Sequence, residues 1–194
     1  MSKYDRYYKY GKKYNKYQIP EGWLDYSKMG QIIENSNIIA MRVPLKAEFS
    51  ELEESEKFSV QNAIDMVEQK DRQVGMVINL CFTDKYYDVM DFKSKGAPVE
   101  KIMVPGQTVP EEKYIRMFCD AIVEFERNNK DSNKIVLVHC THGLNRTGFL
   151  ICSYLILVKG ITPAEAVKSF EEARGHKIKR QYYVDALLAM KPTN

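Results

Sequence analysis

No apolar leader, no membrane-length hydrophobic run and no cysteine-pairing motif occurs in this 194-residue chain, and each absence narrows what it does. Its opening residues carry neither an apolar core segment nor a cleavage-site pattern, so a secretory signal is not expected. The longest apolar stretch, residues 149–158, is broken by Cys152, Ser153 and Tyr154 and falls well short of the roughly 20 residues a membrane span needs. It predicts a buried helix or strand instead. Cys81, Cys119, Cys140 and Cys152 are scattered without pairing spacings, which suits free thiols in an intracellular protein rather than a disulfide framework. A large charge imbalance is missing too: the net charge is +3, so the whole chain is no polycation. No internal repeat is visible, and 44% hydrophobic with 28% charged residues is the composition of an ordinary globular domain.

That modest net charge hides an uneven distribution. Residues 1–17 hold Lys3, Arg6, Lys9, Lys12, Lys13 and Lys16 against Asp5 alone, interleaved with Tyr4, Tyr7, Tyr8, Tyr10, Tyr14 and Tyr17. Almost no aliphatic residue is present there to anchor a core. Residues 1–18 therefore read as a flexible arm, either a solvated tail or a basic aromatic strip that attracts nucleic acid. A single folded domain is expected over 19–194, starting where Trp23 and Tyr26 bring the first large apolar groups.

Within that domain, short β-branched runs at 38–43, 75–80, 99–104 and 134–138 predict buried strands. Helical spacing predicts helices near 60–70, 110–128, 147–158, 163–172 and 180–189. The helix after Pro110 has Ile115, Phe118, Cys119, Ile122 and Phe125 on one face and two glutamates in its first turn. Strands alternating with helices predict an α/β fold: a central, mostly parallel sheet flanked by helices on both faces.

The segment from Ile135 to Gly148, IVLVHCTHGLNRTG, carries the chemistry. A buried strand runs into His139 and Cys140; a loop of Thr141, His142, Gly143, Leu144 and Asn145 follows; then Arg146 and Thr147 open an apolar helix. Such a loop turns its N–H groups, and the positive end of the helix dipole, toward one spot, which is an oxyanion site. The same field lowers the pKa of a cysteine at the strand end and makes its thiolate a nucleophile. Arg146 supplies a planar fork for two phosphoryl oxygens. A metal centre of His139, Cys140 and His142 would lack a fourth ligand, so no metal and no cofactor is expected.

Cysteine, five residues, arginine and a hydroxyl residue, preceded by histidine, is the signature of cysteine-dependent phosphatases. The spelling HCTHGLNRTG resembles their RNA 5′-triphosphatase branch, which comprises the triphosphatase domains of metazoan capping enzymes and the stand-alone RNA 5′-phosphatases of baculoviruses and animals. The segments Val43-Pro44-Leu45, Val104 to Pro110 (VPGQTVP) and Ala173 to Arg180 (ARGHKIKR) extend the likeness to about residues 20–190. The resemblance implies a single-domain cysteine phosphatase fold. It also implies hydrolysis of the γ- and then the β-phosphate of 5′-triphosphorylated RNA through a cysteinyl-phosphate, without a metal.

Residue by residue, the likeness makes Cys140 the nucleophile and Arg146 the transition-state clamp, with His139 shaping the loop behind the thiolate. Thr147 either caps the helix or faces the sulfur, and both roles are compatible. Thr141, His142, Gly143, Leu144 and Asn145 form the phosphate cradle, His142 and Asn145 holding its shape with or without touching substrate. Arg174, Lys177 and Arg180, with His176 and Lys179, form either a solvated face or a polyanion-binding rim. Tri- and diphosphorylated RNA, or a ribonucleoprotein, is the expected partner of a monomer with no membrane role, residing in the nucleus rather than the cytoplasm.

Two departures bear on substrate. The loop from Val104 to Pro110 contains no carboxylate, whereas tyrosine and dual-specificity phosphatases hold there the aspartic acid that protonates a phenolate. Phenols have a pKa of about 10 and phosphoanhydride leaving groups are far less basic, so the lack favours the anhydride. Where the RNA branch commonly carries Asp-Leu-Thr-Asn-Thr, this chain has Asn79-Leu80-Cys81-Phe82-Thr83. The rival readings are a dual-specificity or tyrosine phosphatase, a phosphoinositide phosphatase, disfavoured by a loop without lysines, and a weakly active RNA-end binding module, which Asn79 keeps open.

Overall fold

A computed structural model describes residues 17–49 and 52–192. The basic, tyrosine-rich stretch 1–16 lies outside the described residues. Among the described residues twelve elements follow one another: a 3-10 turn Trp23–Asp25, β1 Met29–Ile32, β2 Ile38–Met41, α1 Val60–Glu68, β3 Gln73–Asn79, α2 Met90–Lys93, β4 Val99–Lys101, α3 Glu112–Asn128, β5 Lys134–His139, α4 Asn145–Leu157, α5 Pro163–Arg174 and α6 Gln181–Leu188. The strands form one mixed sheet in the order β1-β2-β5-β3-β4. β2, β5, β3 and β4 run parallel, and β1 is added antiparallel at the edge of β2.

Alternation along the central strands divides the core in two. Val136 and Val138 of β5, with Ile38, Ala40 and Ile78, face a cluster built from α3, α4, α5 and α6. Ile135 and Leu137, with Ile39, Met41 and Val77, face a second cluster with Trp23, Phe58, Phe92 and α1. Helices therefore cover both faces, as expected of parallel strands whose two sides are apolar. α4 is buried along almost its whole length, which explains why residues 149–156 are apolar without amphipathic spacing.

Local signals set several boundaries. Ser59 caps α1 by accepting from Asn62 N at 3.2 Å while its own N–H donates to Asn62 Oδ1 at 2.9 Å. Thr162 caps α5, Pro163 opens it, and Gly175 ends it at φ 75°. The helix predicted from residue 147 begins at Asn145, so Arg146 and Thr147 stand in its first turn. β1 and the short α2 lie outside the predicted elements.

β1 matters because it carries chain across the back of the site. Gly30 permits its approach to α5: a Cβ at this position would meet Ala173 O at 2.5 Å and Arg174 Cα at 2.9 Å, both immovable backbone. Gly30→Ala is expected to lower stability by about 1–3 kcal/mol, as overpacking against a fixed neighbour does. Urea denaturation followed by circular dichroism measures it, and an unchanged midpoint would contradict the account.

Candidate active site

β5 ends at His139, and the next five residues turn back across the C-terminal edge of the sheet into α4. The turn is held from outside. Arg174 of α5 is 1% exposed, and its guanidinium donates to Gly143 O at 3.1 Å, His142 O at 3.1 Å, Ser27 O at 2.9 Å and Ser27 Oγ at 2.6 Å. Gly143 sits at φ 69°, and a Cβ there would collide with Met41 O, so both its conformation and its closeness to β2 require glycine. His142 turns its Nε2 to Glu21 O at 2.8 Å. Asn145 Oδ1 accepts from the backbone N–H groups of Lys179 and Arg180 at 3.0 and 3.1 Å, tying the approach to α6 onto the loop.

Inside this frame Cys140 is 4% exposed. Burial by itself pushes its thiol pKa up. The Arg146 charge, the Thr147 hydroxyl and the N–H groups of Thr147 and Leu144 outweigh that and bring it below the ordinary thiol range. Thr147 Oγ1 is buried and has no oxygen or nitrogen partner, which leaves it to the sulfur. α4 has no side-chain cap, so its first-turn amides stay available to an anion. The other cysteines differ: burial pushes Cys81 and Cys119 up to about 12 and raises Cys152 as well, and all four are free thiols.

Arg146 is pinned across the open ends of two strands. Its Nη1 donates to Leu80 O and Val104 O, both at 3.1 Å, and Nη2 donates to Thr141 Oγ1 at 3.3 Å. These bonds engage three of the five guanidinium donors and leave Nε–H with one Nη2–H, the pair of parallel donors that grips two oxygens of a phosphoryl group.

Behind the loop runs a polar relay that the sequence does not announce. Asn79 Nδ2 donates to the Tyr87 hydroxyl at 3.1 Å, and that hydroxyl lies 2.8 Å from His139 Nε2. Cys140 O faces Nδ1 at 3.3 Å and can only accept, so the ring's hydrogen sits on Nδ1 and the Tyr87 proton goes to Nε2. Burial holds the His139 pKa down to about 3, so the ring is neutral throughout the physiological range. Asn79 Oδ1 also accepts from Cys81 N at 3.0 Å. An aspartate at this position could accept from Tyr87 but not donate to it.

Several sequence expectations meet the geometry differently. Cys140, Arg146, Thr147 and residues 141–145 come together at one spot. Arg174 does not reach the rim as the basic cluster suggested: burial lowers its pKa to about 10, opposed by the charge of Cys140, and its donors are committed to backbone and Ser27, so it braces the loop. Lys177 and Lys179 are exposed, and Lys179 Nζ lies 5.8 Å from the Tyr26 ring. Arg180 donates to the Tyr182 hydroxyl at 2.7 Å. His176 is no cation toward a ligand, since its Nε2 accepts from Ser27 N at 2.9 Å. His139 and His142 diverge, and among the described residues no cluster of three or more His, Cys, Asp or Glu side chains is placed to hold a metal. Among them, too, no helix is long and apolar enough to cross a membrane. Tyr87 and Arg42 were missed. Arg42 is buried against Trp23, 3.5 Å from its ring centroid, and ties Trp23 O, Tyr26 O and Glu56 O together.

A thiolate stabilised by amides, beside an arginine fork and on a strand–loop–helix turn, defines a cysteine phosphatase site. Residues 58–192 match the dual specificity phosphatase catalytic domain, and the chain belongs to that family. The tyrosine-protein phosphatase of Autographa californica nuclear polyhedrosis virus is 44% identical over 88% of this chain and 99% of its own length. The RNA/RNP complex-1-interacting phosphatase of Rattus norvegicus is 42% identical over 91% of this chain, and that of Homo sapiens 40% over 87%. The chain spans about half of these two mammalian relatives, 54% and 51% of their lengths. Among solved structures, kinase associated phosphatase superposes with TM-score 0.63 at 16% identity, covering 84% of this chain and 92% of that one. Tk-PTP superposes with TM-score 0.60 at 21% identity, covering 81% and 91%. These two share the fold.

Two predictions come from this geometry. Cys140→Ser is expected to abolish turnover while retaining phosphate-ligand binding, and Arg146→Lys to reduce kcat/KM by about a hundredfold or more, since an ammonium cannot reproduce the fork. Steady-state kinetics on a small aryl phosphate check both. Thr147→Val removes one stabiliser of the thiolate, so the Cys140 pKa rises and the acid limb of the kcat/KM profile moves to higher pH. With His139 neutral above about 3, that limb reports Cys140, and iodoacetamide alkylation against pH gives an independent reading of the same shift.

Proposed function

We propose that this phosphatase acts on the 5′ end of RNA, removing the γ- and then the β-phosphate. The observation that carries the reading is the carboxylate-free loop Val104–Pro110 beside a complete thiolate and arginine constellation. Gln107, at φ 68°, and Thr108 occupy the loop's exposed turn. A phenolate leaving group needs a proton and this loop holds no acid to give it, whereas a nucleoside diphosphate or monophosphate departs as a stable anion. The names of the mammalian relatives support an RNA or ribonucleoprotein client.

Cys140 Sγ attacks the terminal phosphorus, the bond to the bridging oxygen breaks, and the shortened RNA leaves with the bond electrons. The loop amides and Arg146 hold the equatorial oxygens through the transfer. Water then attacks the cysteinyl-phosphate, losing a proton and releasing inorganic phosphate, while Thr147 stabilises the departing thiolate. A second reading, protein tyrosine or dual-specificity phosphatase, is favoured by the family match and by the baculoviral relative's name.

RNA labelled separately at the γ- and β-phosphates decides between them. Release of both labels, in excess chelator and with kcat/KM at least tenfold above that for a phosphotyrosine peptide, is expected. A preference for the peptide, or activity that requires added magnesium or manganese, would overturn the proposal.

A further inference from the structure

Phe82 is 60% exposed, the most exposed of the large hydrophobic side chains among the described residues. It stands at one of the three positions where its segment departs from the pattern of the RNA branch, and nothing in the catalytic arrangement uses it. Its place in the chain is informative. Leu80, two residues earlier, gives the carbonyl that anchors Arg146 Nη1 at 3.1 Å. Just past the end of β4, Met103, 43% exposed, precedes Val104, whose carbonyl anchors the same atom at 3.1 Å. Val109, 39% exposed, lies near the far end of the acid-free loop. Two large apolar side chains thus flank the two anchors of the phosphate-gripping guanidinium.

The backbone carrying Phe82 is held on both sides. Cys81 N–H donates to Asn79 Oδ1 at 3.0 Å before it. After it, Lys101 Nζ donates to Thr83 O at 3.0 Å and pairs with Asp84 at 2.8 Å. A ring fixed at its root and left in water at the edge of an oxyanion site suits a planar apolar group attached to a phosphate chain. Phosphate on Arg146 brings such a group to this edge.

We infer that Phe82 is a stacking platform for the 5′-terminal nucleobase of the polyphosphorylated RNA, with Met103 completing its apolar surface. The inference rests on the RNA reading above and deepens it by naming the group that distinguishes a nucleoside-bearing polyphosphate from a bare one. Every base has a π-face, so the platform favours RNA ends over inorganic polyphosphate without selecting among bases.

The test uses the full chain, a 5′-triphosphorylated trinucleotide and inorganic triphosphate. Phe82→Ala is expected to raise KM for the trinucleotide about tenfold while leaving its kcat, and both constants for inorganic triphosphate, within about twofold of wild type. Phe82→Trp is expected to restore the low KM. In Cys140→Ser carrying Phe82→Trp, the trinucleotide should quench the new indole's fluorescence and inorganic triphosphate should not. An unchanged KM for the trinucleotide, an equal rise for both substrates, or no selective quenching would overturn the platform. Failure of the RNA reading shows earlier and separately, as a wild-type protein that releases no phosphate from the trinucleotide.

Discussion

A negative charge held out of water at Cys140 is the constraint around which the rest of this structure is arranged. A buried anion is costly unless fixed dipoles and cations replace its hydration. Here the compensation comes from Leu144 and Thr147 amides, the Thr147 hydroxyl and two guanidinium groups, Arg146 in front and Arg174 beneath. Arg174 is a buried cation in its own right, and the opposite charge acting on it is the thiolate it supports. The neutral His139 is part of the same balance: it orients the Cys140 carbonyl without becoming an ion that competes for the thiolate's partners.

The features of the site that are contiguous in sequence were legible there. Cysteine, loop and arginine lie within one turn of chain, so their spacing carries their geometry, and the flanking apolar runs announce β5 and α4. What depends on distant partners was not. A cluster of Arg174, Lys177 and Arg180 looks like a cationic face in one dimension, yet Arg174 is turned inward by carbonyls at His142 and Gly143 and by Ser27, none of them its neighbours. β1 escaped because four residues including Gly30 give too short a pattern, and its stability comes from pairing with β2. Asn79 read as a lost acid; in the fold its value is the donor that an acid lacks, which matches the direction of the Tyr87–His139 relay.

The fold itself does not choose the substrate. Proteins at 16% and 21% identity share it, and the thiolate and arginine would serve any phosphoryl group presented to them. Selection must come from what surrounds the mouth. In the proposed reading, the acid-free loop after Val104 sets which leaving groups depart readily, and the exposed edge at Phe82 sets what is attached to them. Both are joined to Arg146 through the carbonyls at Leu80 and Val104, so the groups that discriminate and the group that stabilises the transition state share one rigid support.

The Arg174–Ser27 bond spans 147 residues of sequence. Closing a contact of such separation costs chain entropy that local contacts do not. During synthesis, β5, the loop and the start of α4 emerge before the residue that locks them, and the nascent phosphate loop passes through an interval with its carbonyls at His142 and Gly143 unanchored. The shape of the phosphate loop therefore depends on α5 being docked across β1, and a chain stalled before residue 174 would hold the nucleophilic cysteine without the brace that fixes the loop carbonyls.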